Sequence, residues 1–126
     1  MNGDKVLLDS NIIIYLSKGS LDIDKILIDY DEFYISIITY MEVLGYQFEN
    51  QKEKELIEQL LDQFEILHLD MEIAKEVISI KQKKKIKLPD AIIFATAKKN
   101  ECDLMTYNVQ DFINIDRKTN IIKPEI

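Results

Sequence analysis

Four carboxylates stand in this chain at junctions between elements, where a charge needs a physical reason to be. In "KVLLDSNIIIYL", Lys5 to Leu16, Asp9 separates Val6, Leu7 and Leu8, which read as a short, fully buried strand, from Asn11 to Leu16, which read as the first turns of a helix. An ionised carboxylate placed there is costly unless it is paired, hydrogen-bonded or bound to a metal. Glu42 in "ISIITYMEVLG", Asp90 in "KLPDAIIFATA" and Asp111 in "LMTYNVQDF", with Asn108 shortly before it, occupy comparable places. Each has a structural alternative. Thr39 and Glu42 match a capping box, in which the Glu reaches back to the cap's backbone N–H. Asp90 follows Pro89 in a first helical turn, where the dipole favours an anion. Asn108 suits a turn and Asp111 a helix start.

Taken together, the set points to a metal centre. A parallel sheet gathers its strand-to-helix junctions along one edge. Carboxylates collected there repel one another, and some hold their protons at neutral pH unless a cation joins them. Oxygen ligands suit Mg²⁺ or Mn²⁺, whereas a single His and a single Cys argue against zinc. His68, within "EILHL", reads as a half-buried strand residue, and Cys102 as a small, partly buried hydrophobe near a strand start.

The elements that must position these groups follow from periodicity. "LDIDKILIDYD" carries Ile23, Ile26, Leu27 and Tyr30 at helical spacing, and "EFYISI" reads as a strand. "TYMEVLGYQF" is a helix opened by Thr39, and "KEKELIEQLLDQF" places Leu56, Ile57, Leu60, Leu61 and Phe64 on one helical face. "EILHL" is a third strand. Ile73, Val77 and Ile80 form a helical stripe, and "PDAIIFATAKKN" is a helix apolar almost all round, hence buried. "DLMTYN" and "NIIKPE" complete the strands. Helical segments too long for hairpins separate the strands, so the expected fold is α/β: a single domain, residues 1–126, with a mainly parallel sheet of about four to five strands flanked by helices on both faces.

Composition bounds the rest. A chain of 126 residues, 47% hydrophobic and 31% charged with three Gly and two Pro, is an ordered globular protein. No apolar run has the length of a membrane span, and the N-terminus lacks a basic region followed by an uninterrupted apolar segment, so the expectation is a cytoplasmic protein. A formal net charge of -7 argues against tight, non-specific nucleic-acid binding over the whole surface. The charge is unevenly spread, however. Five lysines fall in "KQKKKIK", Lys81 to Lys87, and Lys83, Lys84 and Lys85 form either an RNA-contacting patch or a solvated helix end.

These residues resemble the PIN-domain family, in particular its VapC-type ribonuclease toxins. The likeness runs nearly end to end: "LLDSNIIIYL", "ISIITYMEVLGY", "LPDAIIFATAKKNECDLMTYNVQDF" and a closing "IIKPE". The resemblance implies a Mg²⁺- or Mn²⁺-dependent endoribonuclease, the toxin of a toxin–antitoxin pair, that cuts RNA by metal-activated water to 5′-phosphate and 3′-hydroxyl ends. Asp9, Glu42 and Asp90 look like the family's acidic metal-site residues, with Asn11 and Thr106 in support. Family members often carry Asp where this chain has Asn108, while others have Asn there and rely on the Asp of the following "DF", here Asp111. The resemblance also implies a small antitoxin whose tail fills the groove, and a homodimer; exposed aromatic and Met side chains in "YMEVLGYQF" would serve either contact. Two other readings compete. A haloacid-dehalogenase-type phosphatase needs a second Asp where Asn11 stands and a cap domain for which there is no room. A catalytically silent PIN module that binds a partner protein or RNA would have lost a ligand, and Asn108 keeps that reading open.

Overall fold

The computed structural model describes residues 4–125; Met1 to Gly3, Ile126 and the side chain of Leu27 lie outside the described residues. Strand β1 (Lys5–Leu8) leads into helices α1 (Ser10–Ser17) and α2 (Ile23–Leu27). Strand β2 (Glu32–Ser36) is followed by α3 (Ile37–Leu44) and α4 (Gln51–Leu61), and β3 (Glu65–Leu67) by α5 (Met71–Lys83) and α6 (Leu88–Lys99). Strand β4 (Asp103–Met105), α7 (Val109–Phe112) and β5 (Ile121–Ile122) complete the chain. The five strands form one parallel sheet in the order β3-β2-β1-β4-β5.

Alternation along the inner strands sorts the core into two layers. Val6, Leu8, Ile35 and Met105 face Ile12, Ile13, Val43, Ile57 and Leu61 from α1, α3 and α4. Leu7, Tyr34 and Leu104 face Ile73, Val77, Ile80, Phe112 and the α6 side chains on the other side. Val6, Leu7 and Leu8 are fully buried, the run expected of a strand covered on both faces. Each such side chain contributes about 1.5–3 kcal/mol by leaving water. Every residue from Ala91 to Ala97 is buried in α6, and the one polar member, Thr96, satisfies its hydroxyl by donating to the Ile92 carbonyl at 2.7 Å. Among the described residues, no helix is long and apolar enough to cross a membrane.

Strand order decides where a site can form. The chain steps outward from β1 to β2 to β3, then returns to lay β4 on the other side of β1. At that reversal the connections leave β1 and β4 in opposite directions, which opens a crevice at their carboxyl ends. Asp9 follows β1 there, and Thr106 follows β4.

Two expectations need correction. Helix α3 opens at Ser36, not Thr39: the Ser36 hydroxyl accepts from the Ile38 N–H at 3.1 Å, and Thr39 lies inside the first turn, fully buried. The run "ISII" therefore gives up its strand one residue earlier than its β-branched composition implies, because Ser36 is the better cap. His68 lies one residue beyond the end of β3 and is exposed rather than half-buried. Replacing Ser36 with Ala is expected to lower stability by about 1 kcal/mol, read from the urea midpoint, through loss of the α3 cap. An unchanged midpoint would show that α3 is started by packing alone.

Candidate active site

Asp9 is the N-cap of α1 and is 5% exposed. Its Oδ1 accepts from the Ser10 backbone N–H at 2.7 Å and its Oδ2 from the Thr106 hydroxyl at 2.7 Å. Its own N–H donates to the Met105 carbonyl at 3.0 Å, which ties the end of β1 to the end of β4. Thr106, fully buried, is a hub: its oxygen also accepts from Asn11 Nδ2 at 3.4 Å and from the Asn108 N–H at 3.0 Å. Asn11 Oδ1 in turn accepts from the Tyr107 N–H at 3.3 Å. Thus Asn11 and Thr106 hold the turn after β4 against the start of α1, and Asp9 is fixed between them.

Glu42 sits on the sixth residue of α3, too far along the helix to close a capping box on its start. Its Oε1 accepts instead from the Ser10 hydroxyl at 2.7 Å, and Thr39 Oγ1 stands 3.3 Å from the same Ser10 oxygen. A chain of three side chains therefore joins α3 to the residue beside Asp9. Asp90 lies in the first turn of α6, whose N-cap, Lys87, gives no side-chain cap. Asp111 lies in the first turn of α7. Asn108 caps α7 without a side-chain hydrogen bond, and its contact with the site is the backbone one to Thr106.

Electrostatics tie these groups into one cluster. Burial raises the Asp9 carboxyl above its ordinary range, the bonds from Thr106 and Ser10 oppose this, and the charges of Glu42 and Asp111 raise it further. Asp90 is raised in the same way, first by burial and then by Asp9, Asp111 and Glu42, while Lys87 pulls it down. The charges of Glu42 and Asp111 bear on Asp9, and those of Asp9, Asp111 and Glu42 bear on Asp90, so the four carboxylates picked out from the sequence act on one another electrostatically. Hydrogen bonds answer only part of the cost of burying that anion.

The donor set fits a hard divalent cation: carboxylate and amide oxygens, a buried anion, and like charges that a cation would neutralise. Among the described residues, no three such groups are closed into a ready ligand cage. Carboxylates without a counter-charge stand apart, and Glu42 is held by Ser10. Asp9, Glu42, Asp90 and Asp111 could each offer an oxygen ligand to such an ion, with Asn108 at the margin.

Ser10 was not singled out by sequence reasoning, although it links Asp9 and Glu42. A lone Ser after a strand-end Asp reads as ordinary helix-start chemistry, and only the approach of α3 reveals its second partner. His68 shares a cavity with Lys99 and Asn100 at the far end of α6 from Asp90, which removes it from the acids. From Ser10 and Glu42 a cleft of about 530 Å³ runs between α1, α3 and α4, with Ile14, Val43 and Phe48 on its walls and Glu49 and Glu53 at its rim. In "YMEVLGYQF", Tyr40, Met41 and Tyr46 are exposed while Val43 is core.

Comparison with known proteins agrees with this fold. The PIN domain family model matches residues 6–118. No curated protein is matched. A chain of a toxin–antitoxin complex from Klebsiella pneumoniae is similar over 95% of this chain and 98% of its own, at 32% identity and a TM-score of 0.77. A chain of VapBC-1 from nontypeable Haemophilus influenzae is 26% identical over 94% of this chain and 97% of its own, with a TM-score of 0.75. A chain of DNA-bound VapBC from Salmonella typhimurium shares the fold at a TM-score of 0.82 and 21% identity, covering 95% of this chain and 98% of its own.

The acid cluster fixes a sign for stability. A carboxyl whose folded-state pKa is raised favours the folded state while protonated, and that contribution is lost as pH rises from the unfolded value of 3.8 through the folded one. In metal-free buffer, Asp90→Asn is therefore expected to be more stable than the parent at neutral pH, with the gap closing as pH falls towards 4. Thermal melts in EDTA across this range check it. A variant less stable than its parent at pH 7 would mean that Asp90 is a favourable helix-start anion and not a repelled one.

Proposed function

The chain belongs to the PIN domain family, and from that premise we propose that it is a VapC-type toxin, a Mg²⁺- or Mn²⁺-dependent endoribonuclease neutralised by a small antitoxin. The observation that supports this most is Asp9: a buried carboxylate at the sheet's switch point on which the negative charges of Glu42 and Asp111 bear, and whose own charge bears on Asp90. Carboxylates perturbed by burial and by like charges cluster at functional sites.

Each residue has a part in this reading. Asp9 is the fixed anion, its two oxygens aimed by Ser10 and Thr106. Glu42 is aimed by Ser10, and Asp90 and Asp111 stand nearer to solvent; in this reading they accept hydrogen bonds from the attacking water and orient it. A bound Mg²⁺ or Mn²⁺ supplies Lewis-acid stabilisation of the phosphate oxygens and a water acidic enough to react at neutral pH. No covalent nucleophile and no histidine is needed. For the fourth acidic position we favour Asp111, whose charge acts on both Asp9 and Asp90, over Asn108, which engages the site through its backbone.

The antitoxin follows from the similar chains and from the cleft beside Glu42. The Klebsiella pneumoniae structure is a toxin–antitoxin complex. The cleft here combines apolar walls with Glu42, Glu49 and Glu53, a surface suited to an amphipathic segment carrying basic side chains. A homodimer would use the exposed side chains of α3 and the segment after it.

The test is cleavage of RNA with Mg²⁺ or Mn²⁺ against EDTA, followed by mapping of the ends. Metal-dependent cuts leaving 5′-phosphate and 3′-hydroxyl are expected; binding without cleavage would identify a silent module. Asp9→Asn is expected to abolish the cuts while leaving the fold intact, and Thr106→Val to lower activity or metal affinity by about 10–100-fold. Full activity in Asp9→Asn would overturn the assignment. Asp111→Asn is expected to raise the Mg²⁺ concentration needed for half-maximal activity, while Asn108→Asp changes it little. The reverse pattern would give the fourth position to Asn108.

A further inference from the structure

The acid site is flanked by the one dense run of positive charge in a chain of net charge -7. Helix α5 ends at Lys83, its C-cap Lys84 is extended, and the turn closes at Lys87, the N-cap of α6. Asp90 follows three residues later. The turn is anchored at two points. Ile86 packs against the core layer of α5 and α6, and its carbonyl accepts from Lys81 Nζ at 2.7 Å. Lys83, Lys84, Lys85 and Lys87 are all exposed. Elsewhere, Lys98 and Lys99 pair with Glu72, Glu76 and Asp116, but among the described residues no ion pair engages the lysines of the turn. Four exposed cations thus stand on an anchored turn, Lys83, Lys84 and Lys85 free of ion pairs among the described residues and Lys87 acting on Asp90, a few residues from the proposed reaction centre.

We infer that the α5–α6 turn is a phosphate-binding edge, on which Lys83, Lys84, Lys85 and Lys87 hold backbone phosphates of the RNA beside the one that is cut. This rests on the reading of the acid site as an RNA-cleaving centre. A nucleic acid suits both surfaces, because its phosphates meet lysines on the turn and a cation at the carboxylates. An acidic protein segment suits only the turn, since continuing over α6 it would meet Asp90, Asp9 and Asp111. The lysines position the substrate and touch no reacting atom, so their loss should fall on KM and on salt dependence and not on the metal requirement.

The experiment compares the parent with a Lys83→Gln, Lys84→Gln, Lys85→Gln variant and with a control of equal charge loss on other exposed lysines, Lys25→Gln, Lys54→Gln, Lys75→Gln. Binding of a fluorescein-labelled single-stranded RNA is followed over a KCl series with Ca²⁺ replacing Mg²⁺, and KM, kcat and Mg²⁺ dependence are measured separately. At roughly 0.7 per phosphate contact on a single strand, the slope of log affinity against log salt should fall by about 2 in the turn variant and little in the control. KM should rise several-fold while the Mg²⁺ titration stays in place. Should the triple variant not fold, Lys85→Gln alone should reduce the slope by about 0.7. If the parent cuts RNA and the turn variant keeps its slope and KM, the turn is a solvated helix end and this inference alone falls. If the variant binds RNA normally but no longer binds its protein partner, the turn is a protein contact and the inference falls likewise. If the parent neither binds nor cuts RNA, the reading of the acid site falls with it.

Discussion

The structure turns on one unfavourable placement: the Asp9 carboxylate, 5% exposed, at the point where the sheet reverses its order. Two hydrogen bonds hold its oxygens, and each comes from a different side of the crevice, Ser10 from the start of α1 and Thr106 from the end of β4. The bonds orient the anion without neutralising it. Glu42 and Asp111 then add negative charge to a group already penalised by burial, and Asp9 in turn raises Asp90, so the site is more unfavourable as a whole than any of its parts. A bound cation would turn this cost into affinity, because it would meet a desolvated and pre-aimed anion.

That constraint explains why the surrounding polar network is dense. Thr106 gives one hydrogen bond and accepts two, and Asn11 uses both ends of its amide, so the turn after β4 has little freedom to relax away from Asp9. Ser10 extends the network to Glu42, with Thr39 behind it. These small polar side chains lie between helices that are otherwise joined by apolar packing, and their effect is to set direction where the apolar core sets distance. The lysine turn supplies the opposite sign close by, with Lys87 the cation that bears on Asp90.

Much of this was legible in the sequence because its signals were local. Val6, Leu7 and Leu8 announced a buried strand, the apolar surround of Ala91 to Ala97 announced a buried helix, and strands spaced by helical segments announced a parallel sheet. Asp9, Glu42, Asp90 and Asp111 stood out because carboxylates at junctions need partners. What was not legible depended on contacts between distant segments. Ser36 and Thr39 are both good caps, and only the register of β2 against β3, which pairs Ser36 with Leu67, makes Ser36 the one at the strand's end. The capping box assigned to Glu42 failed for that reason. Ser10 acquires its role only when α3 lies across α1, and His68 becomes exposed because β3 stops at Leu67.

The central claim is that Asp9 and its neighbours form a cation site built from carboxylates that are reluctant to ionise without one. It is tested most directly by calorimetric titration of the intact protein with Mn²⁺ in buffers of different ionisation enthalpy, at neutral and at mildly acidic pH. Mn²⁺ should bind, and in the acidic series binding should be weaker and accompanied by proton release, as the raised carboxyls of Asp9 and Asp90 give up their protons to the incoming cation. Binding that releases no protons and is indifferent to pH, or no binding at all, would contradict it.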